Sequence, residues 1–116
     1  MNIEGRTVFL LEDELIIAFA VEDVLIAQGA EVVLASSLEE AAILLDEASP
    51  SLAILDVNIK GEKSYPVATG LLRRGVPILF ATGYGDAEHP PQFLCTPTLT
   101  KPYNRGELLS AIAQVV

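Results

Sequence analysis

Five polar residues stand where runs of apolar, strand-like sequence end: Glu12 and Asp13 after VFLL, Asp56 after LAIL, Thr82 after ILFA, and Lys101 immediately before Pro102. Three carboxylates brought within a few ångströms repel one another strongly unless a cation intervenes. A hard divalent ion such as Mg2+ answers that need, because it prefers oxygen ligands and is held by one or two carboxylates together with waters and phosphate oxygens. An aspartate carboxylate is also a nucleophile toward phosphorus. Transfer onto it depends largely on positioning and charge neutralisation. Lys101 would supply a cationic partner for one phosphoryl oxygen and Thr82 a hydroxyl donor for another. Taken singly, each residue has a plainer role: an Asp at a strand end as a turn residue, a Lys in solvent, a Thr packed in a strand.

What would bring the five together is the alternation of elements. RTVFLLE, AEVVLA, SLAILD, VPILFAT and the short TLT read as strands, separated by segments of helical character. This pattern predicts an α/β fold, a doubly wound five-stranded parallel sheet of order 2-1-3-4-5 with five helices distributed over both faces. SLAILD is almost uniformly apolar, as a central strand covered on both sides should be. The first helix is expected over about Glu14 to Gln28, with an apolar face of Ile16, Ile17, Phe19, Ala20, Val24 and Leu25, ended by Gly29. Ser37 and Glu40 form a capping box for the second helix, and PVATGLLRR, weakened by Gly70, forms the third. VNIKGEKSY reads as a loop around Lys60 and Gly61. GYGDAEHPPQFLCTP is too rich in Gly, Pro and Asp for more than a short, irregular helix. GELLSAIAQVV carries Leu108, Leu109, Ile112, Ala113 and Val116 at helical spacing. With parallel strands and right-handed crossovers, the first and third strands flank the point where strand order reverses, so Glu12, Asp13 and Asp56 meet in the crevice there.

The 116 residues suit a single domain, residues 1–116. A formal charge of −9 with only seven Lys and Arg argues against a nucleic-acid partner, which requires clustered basic residues. Mean hydropathy is +0.44, yet no apolar run reaches the roughly eighteen residues of a membrane span. The start, MNIEGRTVFL, lacks the pattern of an export signal, so a cytoplasmic location is expected. Cys95 is expected to be a small buried hydrophobe, and His89 an exposed loop residue outside the site. Gly83-Tyr84-Gly85 lacks the spacing of a nucleotide-binding loop.

Together these residues resemble the receiver domain of two-component response regulators over essentially the whole chain. The family's pattern has an acidic pair after the first strand, a phosphoacceptor Asp ending the third, a Thr or Ser ending the fourth and Lys-Pro ending the fifth. The resemblance implies that Asp56 accepts phosphate from a histidine kinase or histidine phosphotransfer protein. It further implies that Asp13 and Asp56 bind Mg2+ with Glu12 acting through water, that the Asn58 backbone carbonyl adds a ligand, and that the Lys101–Pro102 peptide is cis. Phosphorylation would then draw Thr82 toward the phosphate and remodel the face made by the fourth helix, fifth strand and fifth helix. Receivers commonly place an aromatic switch residue three positions before the Lys, where this chain has Thr98. Phe80-Ala81-Thr82-Gly83-Tyr84 resembles the signature of a subset lacking that aromatic, which makes Tyr84 a candidate substitute. Thr98, Pro102 and Tyr103 are expected on the switch or partner surface.

Two other functions fit parts of the pattern. An aspartate-nucleophile phosphohydrolase uses a similar Asp, Thr, Lys and metal set, but its nucleophile belongs to an early Asp-x-Asp motif, whereas Val57 and Asn58 follow Asp56 here. A receiver-like adaptor would not use the site, although every chemical residue is present. A signalling module that turns over no free substrate is therefore expected.

Overall fold

Strand-forming residues alternate between two cores. In the computed structural model, which describes residues 3–83 and 89–115, Val8 and Leu10 of strand β1 (Thr7–Leu11) face one side of a sheet and Phe9 and Leu11 the other. Strand β3 (Leu52–Asp56) divides in the same way, Leu52 and Ile54 against Ala53 and Leu55. A strand that must satisfy two hydrophobic layers has no solvent face, which is why these segments read as unbroken apolar runs.

The remaining strands of this sheet are β2 (Glu31–Ala35), β6 (Ile78–Thr82) and β7 (Thr98–Thr100), and it is fully parallel in the order β2-β1-β3-β6-β7. This is the expected doubly wound topology. Helices α1 (Leu15–Ala27) and α4 (Arg105–Val115) cover one face with Val21, Leu25, Leu108 and Ile112, while α2 (Leu38–Glu47) and α3 (Tyr65–Arg73) cover the other with Ala41, Ala68 and Leu71. The Ser37 hydroxyl caps α2 by accepting from the Glu40 N–H at 3.1 Å, and the Glu40 carboxylate reaches back to the Ser36 N–H at 2.7 Å, one residue earlier than a standard box.

Several expectations change. Five helices were expected, but among the described residues there are four α-helices and a three-residue 3-10 turn, Pro91–Phe93, between β6 and β7. The segment around Lys60 and Gly61 is a hairpin of β4 (Asn58–Ile59) and β5 (Glu62–Lys63) rather than a plain loop. Its two turn residues both have positive φ, 51° and 85°, as the tightest hairpin turns require. Helix α1 keeps half of its expected face, with Leu25 buried and Ile17 and Val24 packed against the core, but Ala18 and Val21 are buried as well, while Ile16 is 87% and Phe19 51% exposed and Ala20 also faces solvent. Apolar residues surround α1 on nearly every side, so periodicity had nothing to select. Packing against the core falls to Val21 and Leu25, supported by Ile17 and Val24. On α4, Ala113 is exposed, and Val116 lies outside the described residues. Cys95, expected to be buried, is exposed beyond the 3-10 turn.

Candidate functional site

Parallel register carries the ends of β1, β3, β6 and β7 to one edge. Leu11 pairs with Leu55, Asp56 with Ala81, and Thr82 with Thr100, so the residues that follow each strand emerge side by side. Asp56 ends β3 and is 6% exposed; Glu12 follows β1 and is 3% exposed. Glu12 is anchored by its N–H, which donates to the Ala35 carbonyl at 3.0 Å, and its Oε2 accepts from the Glu14 N–H at 3.1 Å. Asp13 is half-buried, and its Oδ2 accepts the Lys60 N–H at 2.8 Å, which ties the β4–β5 hairpin to the mouth of the crevice. Carboxylate oxygens of Glu12, Asp13 and Asp56 lie within 4.8 Å of one another.

Lys101 completes the cluster. Its N–H donates to the Thr82 carbonyl at 2.8 Å, which extends the β6–β7 ladder by one bond and directs the side chain along the sheet end. Its Nζ lies 2.7 Å from Glu12 Oε1 and 3.0 Å from Asp56 Oδ2. The Lys101–Pro102 peptide is cis. Thr82 is buried at the end of β6, beside Asp56 of the neighbouring strand. Asn58 opens the hairpin two residues beyond Asp56.

Burial dominates the electrostatics. It pushes the Glu12 carboxyl up to about 7, with the Asp56 charge acting in the same direction; hydrogen bonds from Lys101 and the Glu14 N–H only partly oppose it. For Lys101 burial favours the neutral amine, but the two carboxylates together outweigh it and hold the ammonium form above its ordinary range. Burial and then the Glu12 charge raise Tyr103 to about 12, which keeps its phenol neutral beside the cluster. Three oxygen ligands with one ammonium between two of them form a hard, anionic donor set, so the residues present fit a divalent cation of the Mg2+ type.

A groove of about 640 Å³ opens from this cluster between α1 and α4, lined by Glu14, Ile16, Ile17, Ala20, Lys101 and Tyr103 among others. Pro102 lines it as well and is exposed, whereas Thr98 lies at the far edge of the sheet. Tyr84 falls outside the described residues. His89, expected to be an exposed loop residue, is half-buried and hydrogen-bonded to Tyr65 and Thr98. Sequence reasoning also missed the Glu14 and Lys60 N–H groups. Backbone donors carry no side-chain signature, and Lys60 could be placed only once the hairpin was seen.

The family model of the response regulator receiver domain matches residues 8–113. No match was found among curated proteins. Among solved structures, SdrG from Sphingomonas melonis Fr1 is 34% identical, with a TM-score of 0.83 over 97% of each chain. PhyR, a response regulator from Brucella abortus, is 25% identical with a TM-score of 0.82; the match covers 98% of this chain but 49% of that one. The response regulator TrrA from Thermotoga maritima, solved in complex with Mg2+ and BeF, shares the fold at 21% identity, with a TM-score of 0.83 over 96% of this chain and 99% of that one. The chain belongs to the response regulator receiver domain family.

Proposed function

We propose that this receiver domain takes a phosphoryl group onto Asp56 in a magnesium-dependent reaction with a histidine kinase or histidine phosphotransfer protein. The observation that carries this proposal is the placement of Lys101 Nζ 3.0 Å from Asp56 Oδ2, with the Glu12 and Asp13 carboxylates in the same cluster. An Asp56 oxygen forms the new O–P bond as the donor's N–P bond breaks, and the departing imidazole takes up a proton. Lys101 neutralises charge on the transferred group and Thr82 offers it a hydroxyl donor. Asp13, Asp56 and the Asn58 carbonyl would hold Mg2+, with Glu12 acting through water; the ion supplies charge neutralisation between the carboxylates and the phosphoryl oxygens. The product is a signalling state read by another protein through the surface near Thr98, Pro102 and Tyr103, in the cytoplasm, without turnover of a free substrate. Whether Tyr84 takes part in that change belongs to the same proposal.

The donor must bring its phosphorus to Asp56 and therefore covers the rim of the crevice. Along that rim and down α1, Leu15, Ile16 and Phe19 expose apolar surface that folding leaves unburied. A histidine-bearing helix with an apolar stripe fits this face. Incubation with Mg2+ and acetyl phosphate, followed by intact mass measurement, tests the chemistry: one adduct is expected in the wild type and none in Asp56→Asn. Full labelling of Asp56→Asn would refute the assignment. Ile16→Asp should slow transfer from a phosphorylated protein donor while leaving acetyl phosphate labelling intact; equal slowing of both would remove α1 from the docking face.

A further inference from the structure

Hairpin β4–β5 grows directly out of the strand that carries Asp56, and its base is fixed on both sides. The Val57 N–H donates to the Ala81 carbonyl at 2.9 Å, and the Val57 carbonyl accepts from the Ser64 N–H at 2.9 Å. Ile59, 1% exposed, belongs to the core. From that anchor the pairs Asn58–Lys63 and Ile59–Glu62 carry the chain out to a two-residue turn, Lys60 and Gly61. The Lys60 N–H at this turn donates to Asp13 Oδ2 at 2.8 Å, across 47 residues of sequence. Lys60 is also the one non-glycine residue with positive φ among the described residues. A lysine gains nothing from that conformation by itself. What the turn supplies is an N–H aimed at a carboxylate of the acidic cluster.

Asp13 needs such a donor. It lies two residues beyond the end of β1, and its carboxylate shares a cluster 4.8 Å across with those of Glu12 and Asp56. Lys101 pairs with Glu12 and Asp56. Asp13 is the most exposed of the three, so a turn of its side chain toward water would relieve the repulsion and take it out of the cluster. The bond from Lys60 opposes that turn. It engages one carboxylate oxygen and leaves the other for an ion.

We propose that hairpin β4–β5 is a brace for the metal site: its turn holds Asp13 in the cluster through the Lys60 N–H, while its first residue, Asn58, follows Asp56 by two positions. Both are thereby in place before a cation binds. Lys60 acts as a positioning residue through its backbone, and its ammonium has no part in the brace. The sequence requirement is a turn that accepts two positive φ values, the second of which Gly61 adopts without strain. The brace rests on the magnesium reading of the cluster.

Two glycines give a matched comparison. Gly61 (φ 85°) and Gly75 (φ 76°), the latter just past α3, both have open space where a Cβ would stand. Valine at either position puts a β-branched residue into the left-handed region at similar cost, but only Gly61→Val draws the Lys60 N–H away from Asp13. Calorimetric titration with Mg2+ should show Gly61→Val binding about fivefold more weakly, with Gly75→Val unchanged. Lys60→Asn keeps the N–H and suits a positive φ, so its affinity should stay within about twofold of the wild type. Amide hydrogen exchange tests the tie without metal: the Lys60 N–H should be protected about tenfold or more in the wild type and should lose that protection in Asp13→Ala. Equal or tighter Mg2+ binding by Gly61→Val would overturn the brace, as would an unprotected Lys60 amide or protection that survives in Asp13→Ala. If Gly61→Val does not fold, exchange in the wild type and Asp13→Ala still decides. A wild type that binds no Mg2+ would overturn the magnesium reading, whereas Mg2+ binding with an unprotected Lys60 amide would overturn the brace alone.

Discussion

Replacing Lys101 by Met keeps most of the side-chain volume and removes only the charge, which makes the site's electrostatics measurable as folding stability. The ammonium lies 2.7 Å from Glu12 and 3.0 Å from Asp56, and both carboxylates are almost fully buried. At an effective dielectric constant of about 20, each contact corresponds to roughly 6 kcal/mol of attraction, much of it cancelled by desolvation. Removing one partner of a buried pair leaves a net cost of about 3–5 kcal/mol. That cost should depend on pH because Glu12 titrates within reach. Its carboxyl rises from 4.5 to about 7 on folding, so ionising it in the folded protein costs about 3 kcal/mol. For an acid whose folded pKa is raised, the native state binds more protons than the unfolded chain, and stability falls as pH rises from 4.5 toward 7. Without Lys101, Glu12 should remain protonated to higher pH, and the decline should continue where the wild type has levelled off. Urea denaturation without metal should therefore show Lys101→Met destabilised by about 3–5 kcal/mol near pH 8.5 and by roughly half that near pH 5.5, where only Asp56 has lost its partner. Adding Mg2+ should restore part of the loss at the higher pH. An equal loss at both values would refute the reasoning and assign the role of Lys101 to packing.

Binding of Mg2+ should compete with the Glu12 proton, so affinity should rise by up to about tenfold per pH unit below 7 and flatten above it; calorimetry in buffers of different ionisation enthalpy should detect the released proton, and no release would oppose the linkage. Gly70 sits in the interior of α3 with open space where a Cβ would stand, so Gly70→Ala should raise stability by about 0.5–1 kcal/mol, and a loss in thermal unfolding would mean that the helix needs the glycine. The Ser64 hydroxyl is fully buried, finds no hydrogen-bond partner among the described residues and does not cap α3, so Ser64→Ala should be neutral or stabilising by about 1 kcal/mol; a clear loss of stability would indicate a partner for that hydroxyl.

Residue types and their order were enough to read the sheet and the acidic end of it. Unbroken apolar strands such as LAIL allow only a double-sided sheet, and parallel register then brings Glu12, Asp13, Asp56, Thr82 and Lys101 to one edge without further information. The burial of Ala18 and Val21 and the exposure of Ile16 and Phe19 on α1 were not legible, because a helix apolar on nearly every side has no single preferred face. Nor was the hairpin at Lys60, whose N–H on Asp13 is a backbone contact between residues far apart in sequence. His89 shows the same limit most clearly. In sequence it is a lone imidazole in a Pro-rich segment, and its hydrogen bonds to Tyr65 and Thr98 exist only because the fold brings the start of α3 and the edge of β7 to either side of it. Local sequence could place a residue at the end of an element. Which atoms it met there depended on contacts between segments distant in the chain, and only tertiary packing decided those.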